Sequence, residues 1–438
     1  MVDREVFEIR EDVTLVGLGR LQLGLVGPVL SNLGYNLLGV SLTTDEVAER
    51  LRTLQCYRIS STREGNPYFE VPIVDAELVD CGKPAAEARL MPSIARSTVL
   101  NLALGSAGDA DQRAAEFLLL VLAYRRDKAI VKDMFVTCSD NPSGREFAVT
   151  RVLRKFIDLT LRLPDEEREA IWNDVPYHVH FVKTLADRIC THRIIPRDRS
   201  QPVQVVAETY GRLTFDSSFE ETQPIVLKAG SVRELATSSN MEIERQKKLY
   251  TLSMAHSVAA YLGLSSKSEP KTIREAMDNP DIELSVRHAL DAVAKALGGT
   301  GEGVSEDWAS LAQTTYRRLL NSDIDDGLQR VARDVPRKLG LDDRILGPLE
   351  AVFMRSFSLC EPLLNAAAGA LTYAARYGES IPQFEDDPST VELGKRLRRG
   401  DVEDVISTIL GTSMDAGQHL TQMAQAIMGR YDAFLKRA

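Results

Sequence analysis

Residues 13–24 of the chain read VTLVGLGRLQLG, a short apolar run followed by a glycine-rich turn. The run 13–16 has the length and composition of a parallel strand buried on both faces. Gly17 and Gly19 permit a tight turn, and the residues after them predict a helix over 20–33 that Pro28 either kinks or begins. Such a strand–turn–helix unit presents the N–H groups of a helix N-terminus to a pyrophosphate.

The glycine spacing departs from the generic dinucleotide-binding fingerprint. The third glycine, Gly24, stands at the seventh position after Gly17 rather than the fifth. On the residues alone, an ordinary glycine turn therefore remains an alternative to a phosphate-binding loop.

Further alternation follows in the first half of the chain. Residues 37–42, 99–104 and 130–137 predict strands, and Thr43 or Thr44 can cap a helix whose first turn carries Asp45 and Glu46. Alternating strands and helices predict an α/β domain with a mainly parallel sheet covered by helices.

The second half of the chain predicts helices only. The strand signal disappears after about residue 230, and apolar periodicity predicts helices over the ranges 231–262, 284–297, 305–320, 346–376, 401–412 and 415–436. A chain of 438 residues is also too long for one ordinary core. We therefore predict an α/β domain over 1–230 and an all-α domain over 231–438.

Composition restricts the class of protein. The net charge of −10 argues against nucleic acid or an anionic membrane as a partner, since phosphate backbones require clustered positive charge. The five cysteines are scattered, which indicates reduced thiols rather than disulfides or a zinc site. The charged N-terminus and the short apolar run 117–124 predict no signal peptide and no membrane span, so we expect a soluble, cytoplasmic protein.

Residues 248–263, KLYTLSMAHSVAAYLG, place Lys248 and His256 on one apolar helix. Eight α-helical residues rotate about 800°, so the two side chains are expected within roughly 80° around the axis and about 12 Å apart along it. Burial lowers the pKa of a lysine, and such a lysine can take the hydroxyl proton of an alcohol. A surface lysine beside a hydrogen-bonded core histidine is the alternative.

A second block, residues 330–339 (RVARDVPRKL), clusters the basic residues Arg330, Arg333, Arg337 and Lys338. Arginine forks suit a phosphate or carboxylate, so the block is a candidate anion site. A scaffold role through salt bridges to Asp342 and Asp343 is the alternative.

Together, residues 248–263, 330–339 and 343–349 resemble the polyol-specific long-chain dehydrogenase family, which includes mannitol dehydrogenase and mannitol-1-phosphate 5-dehydrogenase. The family pattern is a lysine, an asparagine five residues on and a histidine eight residues on. Lys248 and His256 match it, whereas Ser253 replaces the asparagine. The family also uses the GxGxxxxG spacing that begins at Gly17.

The resemblance implies a Rossmann-type domain followed by a helical domain, with the active site between them. It implies metal-independent, NAD(P)-dependent hydride transfer to or from a secondary alcohol, with Lys248 as general base, His256 orienting the substrate and Ser253 beside them. Family members are often monomers. The positions that it assigns to the cofactor are Gly17, Gly19, Arg20, Leu21, Gly24, Ser41, Gly105 and Asn141.

The cofactor's adenosine ribose is the open point. A nicotinamide site usually has an acid at the end of the second strand, but residues 40–44 contain none before Asp45. Ser41, Thr43 and Arg20 could favour a 2′-phosphate. The resemblance to the family implies NAD as the cofactor, and NADP is the alternative.

The substrate is expected to be a polyol or sugar derivative that is phosphorylated or otherwise anionic. Lys183 replaces a neutral or acceptor side chain of the family and, with Arg337, Lys338 and Asp216, is a candidate substrate contact. Glu208 matches a further acidic position, and Cys360 replaces a family histidine. A specialised sugar or nucleoside-type alcohol, or a catalytically silent dinucleotide-binding protein, are the alternatives.

A metal site is not expected. His178 and His180, with His192 nearby, form a histidine pair that could ligate zinc, but no carboxylate or cysteine completes a recognisable spacing.

Overall fold

The computed structural model of the protein describes most of the 438 residues. The described ranges are 11–61, 68–105, 109–141, 146–219, 231–266, 268–298, 308–324, 326–377, 387–411 and 418–437.

The chain divides into two compact units. The first, an α/β unit, contains the described residues up to 141 and from 146 to 241, and the second contains those from 242 onwards. The predicted domain boundary at residue 230 falls among residues 220–230, outside the described residues, and stays a prediction.

The α/β unit contains thirteen described strands and six described helices. In chain order these are β1 (Asp12–Val16), α1 (Gly27–Asn32), β2 (Asn36–Ser41), α2 (Asp45–Leu54), β3 (Cys56–Ser60), β4 (Tyr68–Pro72), β5 (Asp75–Leu78), α3 (Met91–Ile94), β6 (Val99–Leu102), α4 (Ala110–Asp127), β7 (Met134–Cys138), α5 (Ala148–Thr160), α6 (Asp165–His178), β8 (Val179–Val182), β9 (Thr184–Asp187), β10 (Cys190–Ile194), β11 (Gln204–Ala207), β12 (Arg212–Asp216) and β13 (Leu235–Ser238).

The main sheet is parallel throughout, in the order β5-β2-β1-β6-β7-β8. Its direction of winding reverses between β1 and β6, which is the strand order of a dinucleotide-binding Rossmann sheet. Leu15 and Val99 belong to one buried cluster, whereas their neighbours Val16 and Leu100 belong to another. Alternate residues of each strand therefore pack into a hydrophobic core on opposite faces of the sheet, as the continuous apolar runs predict.

The predicted α/β fold with a parallel sheet is confirmed. Two local expectations are wrong. Of the strand predicted over 130–137, residues 130–133 are not strand. Val131 is exposed there, whereas every residue of β7 is buried. One strand, β13, lies beyond residue 230, where it pairs with β12 in a small sheet with β9.

A second small sheet, β10-β11-β3-β4, was not anticipated from the sequence. Its strands have four or five residues each, and they pair across long sequence separations, as β3 does with β11. Short segments of this kind carry little periodic signal of their own.

The turn after β1 depends on Gly17. Its φ is +84°, and a Cβ there would lie 2.3 Å from the carbonyl oxygen of Ala103, which follows β6. A π-helical turn, Gln22–Val26, and α1 then continue the helix. Pro28 stands at the start of α1, directly after the π-helical turn, where its missing N–H interrupts least.

The described part of the second unit is helical. Its α-helices are α7 (Met241–Lys248), α8 (Met254–Leu264), α9 (Ile273–Met277), α10 (Pro280–Leu297), α11 (Trp308–Leu319), α12 (Leu328–Ala332), α13 (Val335–Lys338), α14 (Leu346–Phe353), α15 (Glu361–Arg376), α16 (Pro388–Arg398), α17 (Val402–Leu410) and α18 (Gln418–Arg437). A π-helical turn, Leu249–Ser253, joins α7 to α8 without a break.

The alanine-rich α15 packs closely against α8. A Cβ at Gly369 would lie 3.2 Å from the carbonyl oxygen of Tyr261, so the two backbones approach to a distance that larger residues would prevent. This contact builds the helical core around the segment that carries His256. Across the described residues, no helix combines the length and apolar composition needed to cross a membrane.

We expect Gly17→Ala to destabilise the α/β unit by roughly 2–4 kcal/mol, because it adds left-handed strain to a collision with Ala103. Gly34→Ala is the matched control, since Gly34 also has a positive φ but no described atom within 4 Å of its Cβ position. Thermal and urea unfolding followed by circular dichroism measures both. Equal losses in the two variants would contradict the collision.

Candidate active site

Five of the predicted site residues follow strands of the parallel sheet at one edge. Gly17 follows β1, Ser41 ends β2, Gly105 comes after β6, Asn141 after β7 and Lys183 directly after β8. Because these strands are parallel, their carboxyl ends meet at the same edge, where open α/β sheets bind ligands.

The glycine turn has the geometry of a phosphate-binding loop. The N–H of Gly17 donates to the Val40 carbonyl (2.9 Å), and the N–H of Leu23 donates to the Gly19 carbonyl (3.0 Å), so the helix begins at once. Around the Cβ direction of Gly19 no described atom lies within 4 Å. The backbone at Gly19 is therefore open to a pyrophosphate, and the residues present fit a dinucleotide.

Arg20 and Gly24 tie this helix to β10. The Arg20 guanidinium donates to the Thr191 carbonyl (2.8 Å), and a Cβ at Gly24 would lie 2.7 Å from the Cys190 sulfur. Leu21 directly precedes the π-helical turn. Gly24 thus allows close packing, and direct contact of Arg20 or Leu21 with a cofactor stays a prediction.

Ser41 shapes the turn where the adenosine ribose is expected. Its hydroxyl accepts from the N–H groups of Thr43 (3.5 Å) and Thr44 (3.3 Å), and the side chain is buried. Asp45, the first acid after β2, is exposed at the start of α2. The nature of the group at the ribose 2′ position stays a prediction.

The turns after β6 and β7 are joined by Asp140. Its carboxylate accepts from the N–H groups of Leu104 (2.9 Å) and Gly105 (3.0 Å). Burial raises the pKa of Asp140 to about 7, although both N–H bonds lower it. Asn141, the residue predicted to contact the nicotinamide, is exposed next to it, and residues 106–108 lie outside the described residues.

Lys183 and Asp216, predicted to contact substrate, are neighbours through their backbones: the Asp216 N–H donates to the Lys183 carbonyl (3.0 Å). The Lys183 ammonium is exposed and lies 5.8 Å from the centre of the Phe147 ring. The Asp216 carboxylate accepts from the N–H (3.0 Å) and hydroxyl (2.6 Å) of Ser218. Glu208 is buried, and its carboxylate accepts from the Ile189 N–H.

The histidine pair has a different partner. His178 and His180 each lie 3.5 Å from one oxygen of Asp133. Within the described ranges, no group of three or more His, Cys, Asp or Glu side chains could hold a metal ion.

In the helical unit, the π-helical turn Leu249–Ser253 lies between Lys248 and His256. A π turn holds one residue more than an α turn, so the rotation between the two is that of about seven α-helical residues. They therefore lie roughly 20° apart around the axis, closer than in a regular helix and within the roughly 80° predicted. Ser253 ends this turn, and both Lys248 and His256 are buried, each 9% exposed.

His256 is held at one ring nitrogen and faces a carboxylate at the other. Nδ1 lies 3.1 Å from the Leu252 carbonyl, and Nε2 lies 3.6 Å from Oδ2 of Asp326. Burial lowers the pKa of His256 to about 4; Asp326 raises it, and Arg318 and Arg330 lower it. The imidazole is therefore neutral near pH 7.

Asp326 in turn holds Arg330. Both Nε (2.8 Å) and Nη2 of Arg330 donate to Oδ1 of Asp326, which is nearly fully buried. The Arg330 side chain is 34% exposed, and among the described residues its Nη1 has no hydrogen-bond acceptor.

Arg337 and Lys338 have internal partners. Arg337 donates to Asp334 and lies 3.5 Å from Asp343, so the scaffold alternative holds for Asp343, with Asp334 rather than Asp342 as the other partner. Lys338 donates to the Val331 carbonyl, and burial lowers its pKa well below the usual value. Substrate contact by either residue stays a prediction.

Cys360, which takes the place of a family histidine, is buried, and burial raises its pKa to about 11. The group is therefore a neutral thiol near pH 7.

Sequence reasoning missed Asp326 and Asp140. The spacing of Asp326 and Arg330, four residues apart, was an available signal for a helix-face ion pair. Nothing in the sequence showed that the same carboxylate faces His256. Asp140 was passed over in favour of its neighbour Asn141.

Known proteins are similar to this chain over most of its length. Residues 243–432 match the family model for the mannitol dehydrogenase C-terminal domain. The chain is 25% identical over 402 residues to a mannitol-1-phosphate 5-dehydrogenase of Bacillus licheniformis, covering 91% of this chain and 95% of the relative. It is 23% identical over 398 residues to one of Pyricularia oryzae, covering 90% of each.

Two solved structures share the fold. The mannitol 2-dehydrogenase of Pseudomonas fluorescens, in complex with NAD and D-mannitol, aligns with a TM-score of 0.72 at 15% identity, over 97% of this chain and 92% of that one. A D-sorbitol dehydrogenase in substrate-free form aligns with a TM-score of 0.69 at 13% identity, over 97% and 93%. The shared fold is a Rossmann-type parallel sheet in one unit and a helical second unit. The chain is therefore similar to proteins of a mannitol dehydrogenase-like family, over residues 243–432 to its C-terminal domain and over most of its length to the two relatives.

The pKa of His256 can be tested directly. This pKa lies below the ordinary histidine value of about 6.5, so the folded state binds the proton less well than the unfolded state. The free energy of unfolding is therefore unaffected above about pH 6.5 and decreases as pH falls towards 4. We expect one of the six histidine NMR signals to stay flat from about pH 8 to about pH 5.5 and to be absent in His256→Gln. Between about pH 7 and about pH 4, wild type should lose on the order of 3 kcal/mol relative to this variant. A midpoint near 6.5 for that signal would contradict the neutral imidazole.

Proposed function

We propose that the protein is an NAD-dependent dehydrogenase that transfers a hydride between the nicotinamide and a secondary alcohol of a polyol or sugar derivative. The observation that carries the proposal is the pair Lys248 and His256, brought onto one side of a helix by a π-helical turn within the mannitol dehydrogenase C-terminal domain. Widened turns of this kind occur frequently at functional sites.

The proposed cofactor site is the edge of the parallel sheet that carries the glycine turn. A bound nicotinamide dinucleotide supplies the hydride acceptor or donor. Gly19 leaves the backbone open to the pyrophosphate, and the helix that follows adds its N-terminal N–H groups. The similar fold of the mannitol 2-dehydrogenase solved with NAD supports NAD as the first cofactor to test.

The proposed general base is Lys248. Hydride removal from a secondary alcohol requires loss of the hydroxyl proton, and a buried amine is suited to take it. His256, neutral and held by Leu252, is suited to orient the substrate. Ser253, where the family has asparagine, offers a shorter hydroxyl to the developing alkoxide.

An anionic group on the substrate is the finer part of the proposal. Arg330 is its best supported contact, because Asp326 occupies one side of the guanidinium and the side chain is one-third exposed near His256. Arg337 is less suited, since Asp334 and Asp343 already flank it. Lys183, exposed at the edge of the sheet, is a further candidate.

The function is tested by titrating the protein with NADH and NADPH, then following NADH oxidation with fructose 6-phosphate, fructose and other ketoses. We expect turnover in wild type, and in Lys248→Ala a loss of at least 10³-fold in kcat with NADH affinity within about threefold, because only the proton-transfer step is removed.

Lys247→Ala is the control, because Lys247 lies next to the proposed base but forms an ion pair with Glu244 at 3.1 Å. It should retain most of the activity. Full activity of Lys248→Ala would remove Lys248 from the mechanism. Tight NADH binding without turnover of any ketose by wild type would favour the catalytically silent alternative.

Arg330→Gln and Arg337→Gln distinguish the two arginines. Loss of a charge-assisted contact costs about 1.5–3 kcal/mol, so Arg330→Gln should raise the KM for fructose 6-phosphate by roughly 10- to 100-fold with little change for fructose. Arg337→Gln should instead lower the thermal stability, since Asp343 is buried and loses a partner. A selective KM effect at Arg337 alone would reverse the assignment, and equal effects on both substrates would remove the phosphate contact.

A further inference from the structure

The imidazole of His256 presents a bare nitrogen. Nδ1 lies 3.1 Å from the Leu252 carbonyl, and a carbonyl can only accept, so Nδ1 carries the proton. The ring is neutral near pH 7 because it is buried. Nε2 therefore has a lone pair and acts as an acceptor.

The carboxylate of Asp326 adds a second acceptor beside it. Its Oδ1 receives two N–H groups from Arg330, whereas its Oδ2 lies 3.6 Å from Nε2 of His256. That separation exceeds a hydrogen bond, and neither atom has a proton to give the other. No described residue donates a hydrogen bond to Oδ2.

Two adjacent acceptors that are nearly buried and lack donors among the described residues are stabilised when a ligand supplies hydrogen-bond donors. The side chains of His256 and Asp326 are 11% and 3% exposed, so only small groups can approach them. The charged groups around the pair are the guanidiniums of Arg330 and Arg318, which leave its accepting character unchanged. An acceptor facing another acceptor without a donor is costly when buried.

We propose that Nε2 of His256 and Oδ2 of Asp326 bind two neighbouring hydroxyl groups of the substrate, each accepting one O–H, so that the site selects a vicinal diol. The oxygens of adjacent hydroxyls in a gauche arrangement stand about a hydrogen-bond length apart, which suits acceptors separated by 3.6 Å. A phosphate or a ketone carbonyl offers no O–H donor and is unsuited to this position. The inference rests on the proposed function and assigns Asp326 as a substrate-binding residue.

The test compares D-fructose with 3-deoxy-, 4-deoxy- and 5-deoxy-D-fructose, because the ketone fixes the reacting carbon and each analogue lacks one hydroxyl that does not react. Each is assayed with NADH as a substrate or, where turnover is slow, as a competitive inhibitor of fructose 6-phosphate reduction. In wild type we expect at least one analogue to be weaker than fructose by about 10- to 100-fold in kcat/KM or Ki, the effect of one lost bond to a charged acceptor.

Asp326→Asn should abolish this discrimination. Arg330 can only donate, so the oxygen of the new amide should face it and the amide NH₂ should face Nε2 of His256. The NH₂ then donates to Nε2, so neither Oδ2 nor Nε2 is left as an acceptor for the substrate. Asp278→Asn is the matched control, because Asp278 also pairs with an arginine, Arg274, four residues away, but is exposed. It should leave the ratio unchanged, and thermal unfolding reports whether each variant is folded.

The outcomes separate the two proposals. If wild type treats all three deoxy analogues like fructose, or if Asp326→Asn retains the wild-type ratio, the diol site is overturned while the dehydrogenase stands. If wild type neither oxidises nor binds any of mannitol, sorbitol and mannitol 1-phosphate, the proposed function fails and the diol site with it. Should Asp326→Asn not fold, the wild-type comparison of fructose with its three deoxy analogues decides alone.

Discussion

The close approach of Gly17 to the carbonyl of Ala103 is the constraint on which the α/β unit depends. The chain leaves β1 through a left-handed residue, and no side chain fits between that residue and the segment after β6. Strands β1 and β6 are adjacent at the point where the sheet reverses its winding. The contact therefore packs the turn after β1 directly against the segment after β6. The helix then begins directly above the strand, and its first N–H groups face the edge where the other loops converge.

Buried charge organises the helical unit in a similar way. Arg337, Lys338 and Arg330 all lie in or near a buried region, and each is given an acceptor within a few residues of chain. An unpaired buried charge would cost several kcal/mol, so these local pairings are a condition of folding. Asp326 differs from the other acceptors of these cations, because its second carboxylate oxygen faces the neutral His256.

The sequence predicted the elements that depend on local interactions and missed those that depend on distant ones. Strands β1, β2 and β6 and the long helices were predicted because apolar periodicity is local. The small sheets were missed, and 130–133 was taken for strand, because pairing and burial depend on distant segments. Within the site, the spacing showed that Lys248 and His256 share one helix, whereas the π-helical turn that brings them onto the same side was not visible.

By itself the sequence determined the α/β-then-helical order, the glycine turn and the lysine and histidine of one helix, because these are patterns of neighbouring residues. Only the tertiary structure decided which charged groups are already paired, since Asp334, Asp343 and Val331 take up Arg337 and Lys338 while Asp326 reaches His256 across 70 residues of chain. Hydrogen-bond acceptors and donors are assigned by proximity in space. A linear pattern records the types of these groups and leaves their partners to the fold.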